Sequence, residues 1–236
     1  MSRYLLAASL LALLASPAMA QQVTVRADGN VTSDYRVRGI SRSDEGPSAQ
    51  GTIAIEHISG LHGGAKASYV DLNMDDDADV EGVLFGGYKG NYDGIDYDAT
   101  VSYTGYPGAN DDDLDYWEFE ITGGYDFDVF YASLTWAISP DYINGSGASL
   151  YYGSDITVPL MDQWSAKGHL GFQFVGEEGP YVQSNVTDWS AGIWYNWMDY
   201  DVDFGLQYVD TNLDDNECVE QCGSRAILSA SKGFSW

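Results

Sequence analysis

Along much of this chain, apolar and polar residues take turns with a period of two. Between residues 95 and 104, Ile95, Tyr97, Ala99, Val101 and Tyr103 alternate with Asp96, Asp98, Thr100, Ser102 and Thr104. Successive side chains of a strand point to opposite faces, so this pattern predicts a strand with one apolar and one polar face. Trp117, Phe119, Ile121 and Tyr125 oppose Glu118, Glu120, Thr122 and Asp126 in the same way. Trp164, Ala166, Leu170, Phe172 and Phe174 oppose Ser165, Lys167, His169 and Gln173. The chain ends on Ala226, Leu228, Ala230, Phe234 and Trp236 against Arg225, Ser229, Ser231 and Ser235. The pattern predicts strands over residues 23–38, 48–57, 61–71, 79–89, 95–106, 116–126, 129–139, 148–158, 164–175, 187–197, 201–209 and 224–236.

Twelve two-faced strands with no long apolar helix predict an all-β fold, an antiparallel transmembrane β-barrel. In such a wall every backbone group pairs, and only alternate side chains meet lipid. A soluble sandwich also alternates. The number of alternating strands, together with the export leader, favours the barrel. The connections alternate as well. Residues 58–60, 90–94, 127–128, 159–163 and 198–200 form short turns, and 39–47, 72–78, 107–115, 140–147, 176–186 and 210–223 form mostly longer loops. Short periplasmic turns and long outer loops are the rule in bacterial barrels, so both mature termini are expected on the periplasmic side.

The first twenty residues read as a secretory leader: Arg3, an apolar stretch from Leu5 to Ala15, then Ala18-Met19-Ala20. The expected organisation is therefore a signal peptide over 1–20 and one barrel domain over 21–236. The expected location is the bacterial outer membrane, with its lipid and the barrel-assembly machinery as partners. Losing Arg3 takes the formal charge from −26 to −27. So acidic a chain excludes nucleic acid as a partner, because phosphate binding needs basic surface. The mean hydropathy of −0.24 fits a barrel, whose apolar residues are interleaved with polar ones. Eighteen Tyr and seven Trp suit the two membrane–water boundaries.

One further set of residues carries a family resemblance. Val31-Thr-Ser-Asp-Tyr-Arg-Val-Arg-Gly-Ile-Ser41, followed by Pro47 and Gly51, resembles the N-terminal signature of the TorF-like porins of proteobacterial outer membranes. Tyr106-Pro107-Gly108 with Tyr116-Trp117-Glu118, Ser139-Pro140-Asp141-Tyr142 with Ser149-Leu150-Tyr151-Tyr152, and Tyr200-Asp201-Val202-Asp203 with Ser224-Arg225-Ala226 extend it across the mature chain. The tail departs from it: an ending like Ser-Lys-Ser-Phe is replaced by Ser231-Lys232-Gly233-Phe234-Ser235-Trp236. The resemblance implies a porin-type barrel and names no substrate.

Charge placement bears on what passes. Arg26, Arg36, Arg38, Lys66, Lys89, Lys167 and Arg225 fall on inward positions, as do Glu118, Glu120, Asp96 and Asp98. If the first and last strands pair, Arg225 joins Arg36 and Arg38 in a basic arc facing Glu118 and Glu120, and a transverse field results. The alternative is that charges simply avoid lipid and pair locally. Acidic outer loops and inward carboxylates predict passive diffusion of small hydrophilic solutes, biased toward cations. A closed structural or adhesion barrel would show the same strand pattern.

No cofactor is expected. Asp75, Asp77 and Asp79 have a Ca²⁺-like spacing, but the Gly and Glu positions of an EF-hand hold Val80 and Gly86, so no metal site is expected. No catalytic residue is expected either. His57 and His62 flank a turn, and His169 lacks a recognisable partner motif. Cys218 and Cys222 enter an oxidising compartment and are expected to pair as a disulfide.

Overall fold

A computed structural model of the chain describes residues 22–72, 78–109, 112–178, 182–214, 217–218 and 221–236. Its strands are β1 (Val23–Thr32), β2 (Arg36–Val37), β3 (Ile40–Ser41), β4 (Ser48–His57), β5 (Leu61–Tyr69), β6 (Val80–Tyr92), β7 (Ile95–Gly105), β8 (Tyr116–Asp126), β9 (Tyr131–Ser139), β10 (Ser149–Met161), β11 (Trp164–Val175), β12 (Val186–Trp197), β13 (Val202–Thr211) and β14 (Arg225–Ser235). Twelve of them, β1 and β4 to β14, form a closed antiparallel barrel, while β2 and β3 pair only with each other. Closure is made by β1 and β14, in register from Arg26 opposite Ser235 to Thr32 opposite Ser229. Trp236 extends that join: its N–H donates to the Val25 carbonyl at 3.1 Å, and its carbonyl accepts from the Val25 N–H at 2.9 Å. The wall is thus left without an unpaired strand edge, which hydrocarbon surroundings demand.

Residues 93–94, 127–130 and 162–163 make some of the short turns. The first is a two-residue hairpin in which Asp93 (φ 53°) and Gly94 (φ 84°) both take the left-handed backbone that matches strand twist. The strand therefore runs to Tyr92, and the expected five-residue turn at 90–94 is shorter. Residues 159–163 were also expected to turn. Instead β10 continues to Met161, and Pro159 is accommodated where the register shifts between Pro159 and Met161. The apolar faces of these strands point away from the barrel axis, with Leu84, Trp117, Phe119, Ile121 and Leu228 among the exposed residues.

The largest departure from the expected layout is at the first strand. It stops at Thr32, the partner of Ser48 on β4, and residues 33–47 turn into the barrel. Arg36 and Arg38 therefore do not lie on the wall. Three non-glycine residues of this segment, Arg38 (φ 51°), Asp44 (φ 46°) and Glu45 (φ 57°), take left-handed backbone, as does Gly39 (φ 79°). A side chain at Gly39 would collide with Thr211 and would place its Cβ 2.8 Å from that of Asp188, so the chain lies directly against the β12–β13 wall. Period-two patterning cannot register such a turn, because residues inside the lumen are as polar as those lining it.

The inward segment makes the two ends of the lumen unlike. Near the long loops, inward Ser68, Glu81, Thr104, Ser139, Ser149, Gln173, Asp188 and Thr211 are buried. Near the short turns, inward Arg26, Asp28, Asp96, Asp201 and Asp203 are exposed. The buried apolar cluster lies at the long-loop end. Val70, Leu72, Ala78, Tyr106, Leu114, Tyr142, Ile143, Val175 and Val182 pack there, with Tyr35 of the inward segment against them.

Candidate functional site

A knot of ion pairs fastens residues 33–47 inside the lumen. The Asp34 carboxylate accepts from Arg36 Nε at 2.7 Å and from Ser41 Oγ at 2.7 Å, and Arg225 Nε of β14 lies 3.8 Å away. Glu45 holds Arg225 Nη1 at 2.5 Å and Arg36 Nη2 at 3.4 Å. The Arg36 and Asp34 side chains are 4% and 0% exposed, so these partners and the backbone, rather than water, answer their charges. Arg36 Nη1 also donates to the carbonyls of Gly39 (3.0 Å) and Gly223 (2.7 Å).

The segment reaches other parts of the wall. Arg38 crosses to β8, where its Nη2 donates to Glu118 at 2.7 Å, and its guanidinium lies 4.2 Å from the Tyr151 ring centre and 5.6 Å from that of Tyr142. Burial opposes the Arg38 charge, but Tyr142 and Glu118 outweigh it and hold the group protonated, above its ordinary range. Tyr35 receives a hydrogen bond from Lys66 Nζ at 2.8 Å and donates to Glu81 at 2.8 Å. Burial raises the Tyr35 phenol well above its ordinary value, and the Glu81 carboxylate adds to the rise. Arg42 is buried; its N–H donates to the Tyr35 carbonyl and its carbonyl accepts from Asp71.

Two cavities lie on either side of this knot. A crevice of 570 Å³ at the long-loop end is lined by Glu45, Asp214, Gln221, Gly223 and Arg225 among others. A vestibule of 960 Å³ at the short-turn end is lined by Arg26, Asp28, Asn30, Lys66, Asp201 and Asp203, with Tyr35 at its floor. A second hollow at that end, of 620 Å³, holds Glu56, Lys89, Asp96 and Asp98.

The expected inward residues divide accordingly. Lys66, Lys167, Arg225, Glu118, Glu120, Asp96 and Asp98 occupy inward strand positions. Arg36 and Arg38 belong to the segment instead. A basic arc facing an acidic wall across open space is not what forms. Arg38 and Glu118 touch directly, and carboxylates separate Arg36 from Arg225. Charges desolvated this far are stable only when paired at contact. Lys167 lies 4.7 Å from the Trp194 ring centre.

Sequence reasoning missed the partners of His169. Its Nδ1 meets Asp155 at 2.7 Å, and its Nε2 meets Tyr151 Oη at 2.8 Å and Asp188 at 3.1 Å. These residues are far apart in sequence, so no local spacing betrays them. The ring bridges Asp155 on one side and the Tyr151 hydroxyl and Asp188 on the other, tying β10, β11 and β12 together. Among the described residues no group of three or more His, Cys, Asp or Glu is arranged to hold a metal ion. Asp75 and Asp77 lie outside the described residues.

Cys218 and Cys222 form a disulfide. The loop it closes supports the segment: the Gln221 carbonyl accepts from the Ser41 N–H at 2.9 Å, and the Gly223 carbonyl from Arg36. The ring spans only four residues of separation, so its entropic contribution to the fold is small. Replacing both cysteines with Ser is expected to leave the barrel's heat-modifiable migration unchanged and to speed protease cleavage within residues 212–224. Limited proteolysis read by mass spectrometry checks this, and an unaltered cleavage rate would refute it.

The family model described as "Bacterial protein of unknown function (Gcw_chp)" matches residues 16–232, and the chain belongs to that family. No curated protein matches. Solved structures are similar in fold. The KdgM porin aligns with a TM-score of 0.57 at 7% identity, over 89% of this chain and 99% of that one. The NanC porin aligns with 0.58 at 7% identity, over 88% and 97%. The COG4313 outer membrane channel from Pseudomonas putida F1 aligns with 0.50 at 13% identity, over 91% and 96%. At these identities the likeness is one of fold.

Proposed function

We propose that this member of the Gcw_chp family is an outer-membrane channel for passive diffusion of small hydrophilic solutes, biased toward cations, and not an enzyme. Residues 1–20 act as the export leader, and 21–236 form the barrel that the assembly machinery inserts among outer-membrane lipids. The resemblance to the TorF-like porins and the porin architecture of the structural neighbours support this reading.

The observation that carries it is a closed barrel with a charged, water-accessible lumen whose short-turn end, among the described residues, is lined by more carboxylates than cations. Arg26 and Lys89 both contact Glu56, and Lys66 is engaged with Tyr35 and Glu81. Asp28, Asp201 and Asp203 line one vestibule beside Arg26, Lys66 and Lys232, and Glu56, Asp96 and Asp98 line the other hollow beside Lys89. Negative walls of this kind concentrate cations, and salt screens the effect.

Reversal potentials across a KCl gradient in planar bilayers test the bias. The wild type is expected to prefer K⁺, and an Asp96→Asn/Asp203→Asn variant to lose part of that preference. An anion-selective wild type would overturn the cation assignment. A second reading, a closed structural barrel, is favoured by the burial of inward residues at the long-loop end. Absence of conductance from folded protein, even with residues 33–47 removed, would establish it.

A further inference from the structure

We infer that residues 33–47 are a movable gate, latched by Asp34, Arg36, Glu45 and Arg225, and that solutes pass along the β13–β14–β1 side of the lumen when it opens. The inference rests on the channel reading and specifies where and how that channel is closed.

The route follows from the cavities. Glu45 and Arg225 line the 570 Å³ crevice at the long-loop end. Tyr35 and Lys66 line the 960 Å³ vestibule at the other end, against β1, β4, β5 and β14. The segment runs from one cavity to the other, with Tyr35 at one side of the latch and Glu45 at the other. Displacing it would join the two along one wall.

Four features suit the segment to moving rather than to filling. First, its ends are already neighbours: Thr32 and Ser48 are cross-strand partners, so the segment leaves with the β1–β4 pairing intact, giving up at the β14 side the bond from the Ser33 N–H to the Leu228 carbonyl. Second, its fastenings to the wall are mostly ionic and polar, and the desolvation penalty of those buried charges is recovered when the whole segment moves into water, which offsets much of the lost pairing. Third, Arg38, Asp44 and Glu45 are held in left-handed backbone that side-chain-bearing residues rarely adopt, and the docked state carries that strain. Fourth, docking leaves buried polar atoms unanswered. Among the described residues, Arg38 Nη1 and Arg42 Nε on the segment have no hydrogen-bond partner. Release into water satisfies both of them. Strong ion pairs on one side, with strain and unmet polar groups on the other, make a two-state element of the kind that gates use.

The latch is open to reagents, since the Glu45 and Arg225 side chains are 30% and 38% exposed. The test uses four forms of the full-length barrel in planar bilayers: wild type; a form with residues 33–47 replaced by a short Asn-Gly turn joining β1 to β4; Glu45→Cys/Arg225→Cys before treatment; and the same protein after a short bis-maleimide bridge. Each single-cysteine variant treated with the reagent serves as control.

The wild type is expected to flicker between a closed and an open level. The shortened form should stay at an open level with at least several-fold higher mean conductance. The double-cysteine form should be open for more of the time than wild type, and bridging should silence it while the single-cysteine controls keep conducting. A bridged form that conducts like its unbridged parent would overturn the gate and leave the channel reading intact. A wild type as silent as the bridged form, beside a conducting shortened form, would make the segment a fixed plug and also overturn the gate. Silence in all four forms, with heat-modifiable folding preserved, would overturn the channel reading itself.

Discussion

Replacing Asp34 with Ala is expected to release residues 33–47 from the lumen while the barrel wall stays intact. Asp34 sits at the centre of the latch, fully buried, between Arg36, Ser41 and Arg225. Removing it leaves the Arg36 guanidinium buried with one carboxylate, Glu45 at 3.4 Å, and two backbone carbonyls. Breaking a buried pair by deleting one partner costs about 3–5 kcal/mol, and the contacts Arg36 retains argue for about 3. That shifts the docking equilibrium on the order of a hundredfold. The wall is spared because β1 and β4 pair without the segment. Limited proteolysis should reveal new cleavage within residues 33–47, with unchanged heat-modifiable migration. Asp34→Asn should fall between wild type and Asp34→Ala, because the amide oxygen still accepts from Ser41. Protection of the segment in Asp34→Ala equal to wild type would show that the ion pairs are not what hold it.

Deleting residues 234–236 is expected to abolish the folded barrel. The deletion removes the pairings of Arg26 with Ser235 and Ala27 with Phe234, and both hydrogen bonds between Val25 and Trp236. The short-turn end of β1 then presents unpaired N–H and C=O groups to lipid, each costing several kcal/mol where water cannot reach them. It also removes two exposed rings, Phe234 and Trp236, from the boundary region where aromatics anchor barrels. Heat-modifiable protein in the outer-membrane fraction should fall to a small residue of the wild-type level. Near-normal amounts would mean that closure at this end is dispensable. Phe234→Leu/Trp236→Leu tests the parts separately: it keeps the backbone pairing, and the barrel should persist in reduced amount.

The sequence by itself determined the wall. The period-two alternation of β7, β8, β11 and β14 is written residue by residue, because a strand between lipid and water must place apolar side chains on every second position. Closure follows from the same constraint, since a sheet edge in hydrocarbon has no partner for its backbone. The rhythm of long and short connections, the inward positions of Lys66, Lys167, Glu118 and Arg225, and the proximity of Cys218 to Cys222 were legible for equally local reasons. What the chain does inside that wall was decided only by tertiary structure. Residues 33–47 read as a strand followed by a loop, because a polar segment folded into the lumen has no periodicity of its own. Its course is set by partners as distant in sequence as Glu118, Asp188, Gly223 and Arg225. His169 found Asp155 and Asp188 in the same way, across strand pairings that no spacing encodes. The lipid imposes one repeating rule on every strand. The lumen imposes none, and buried charges there choose partners by proximity in space.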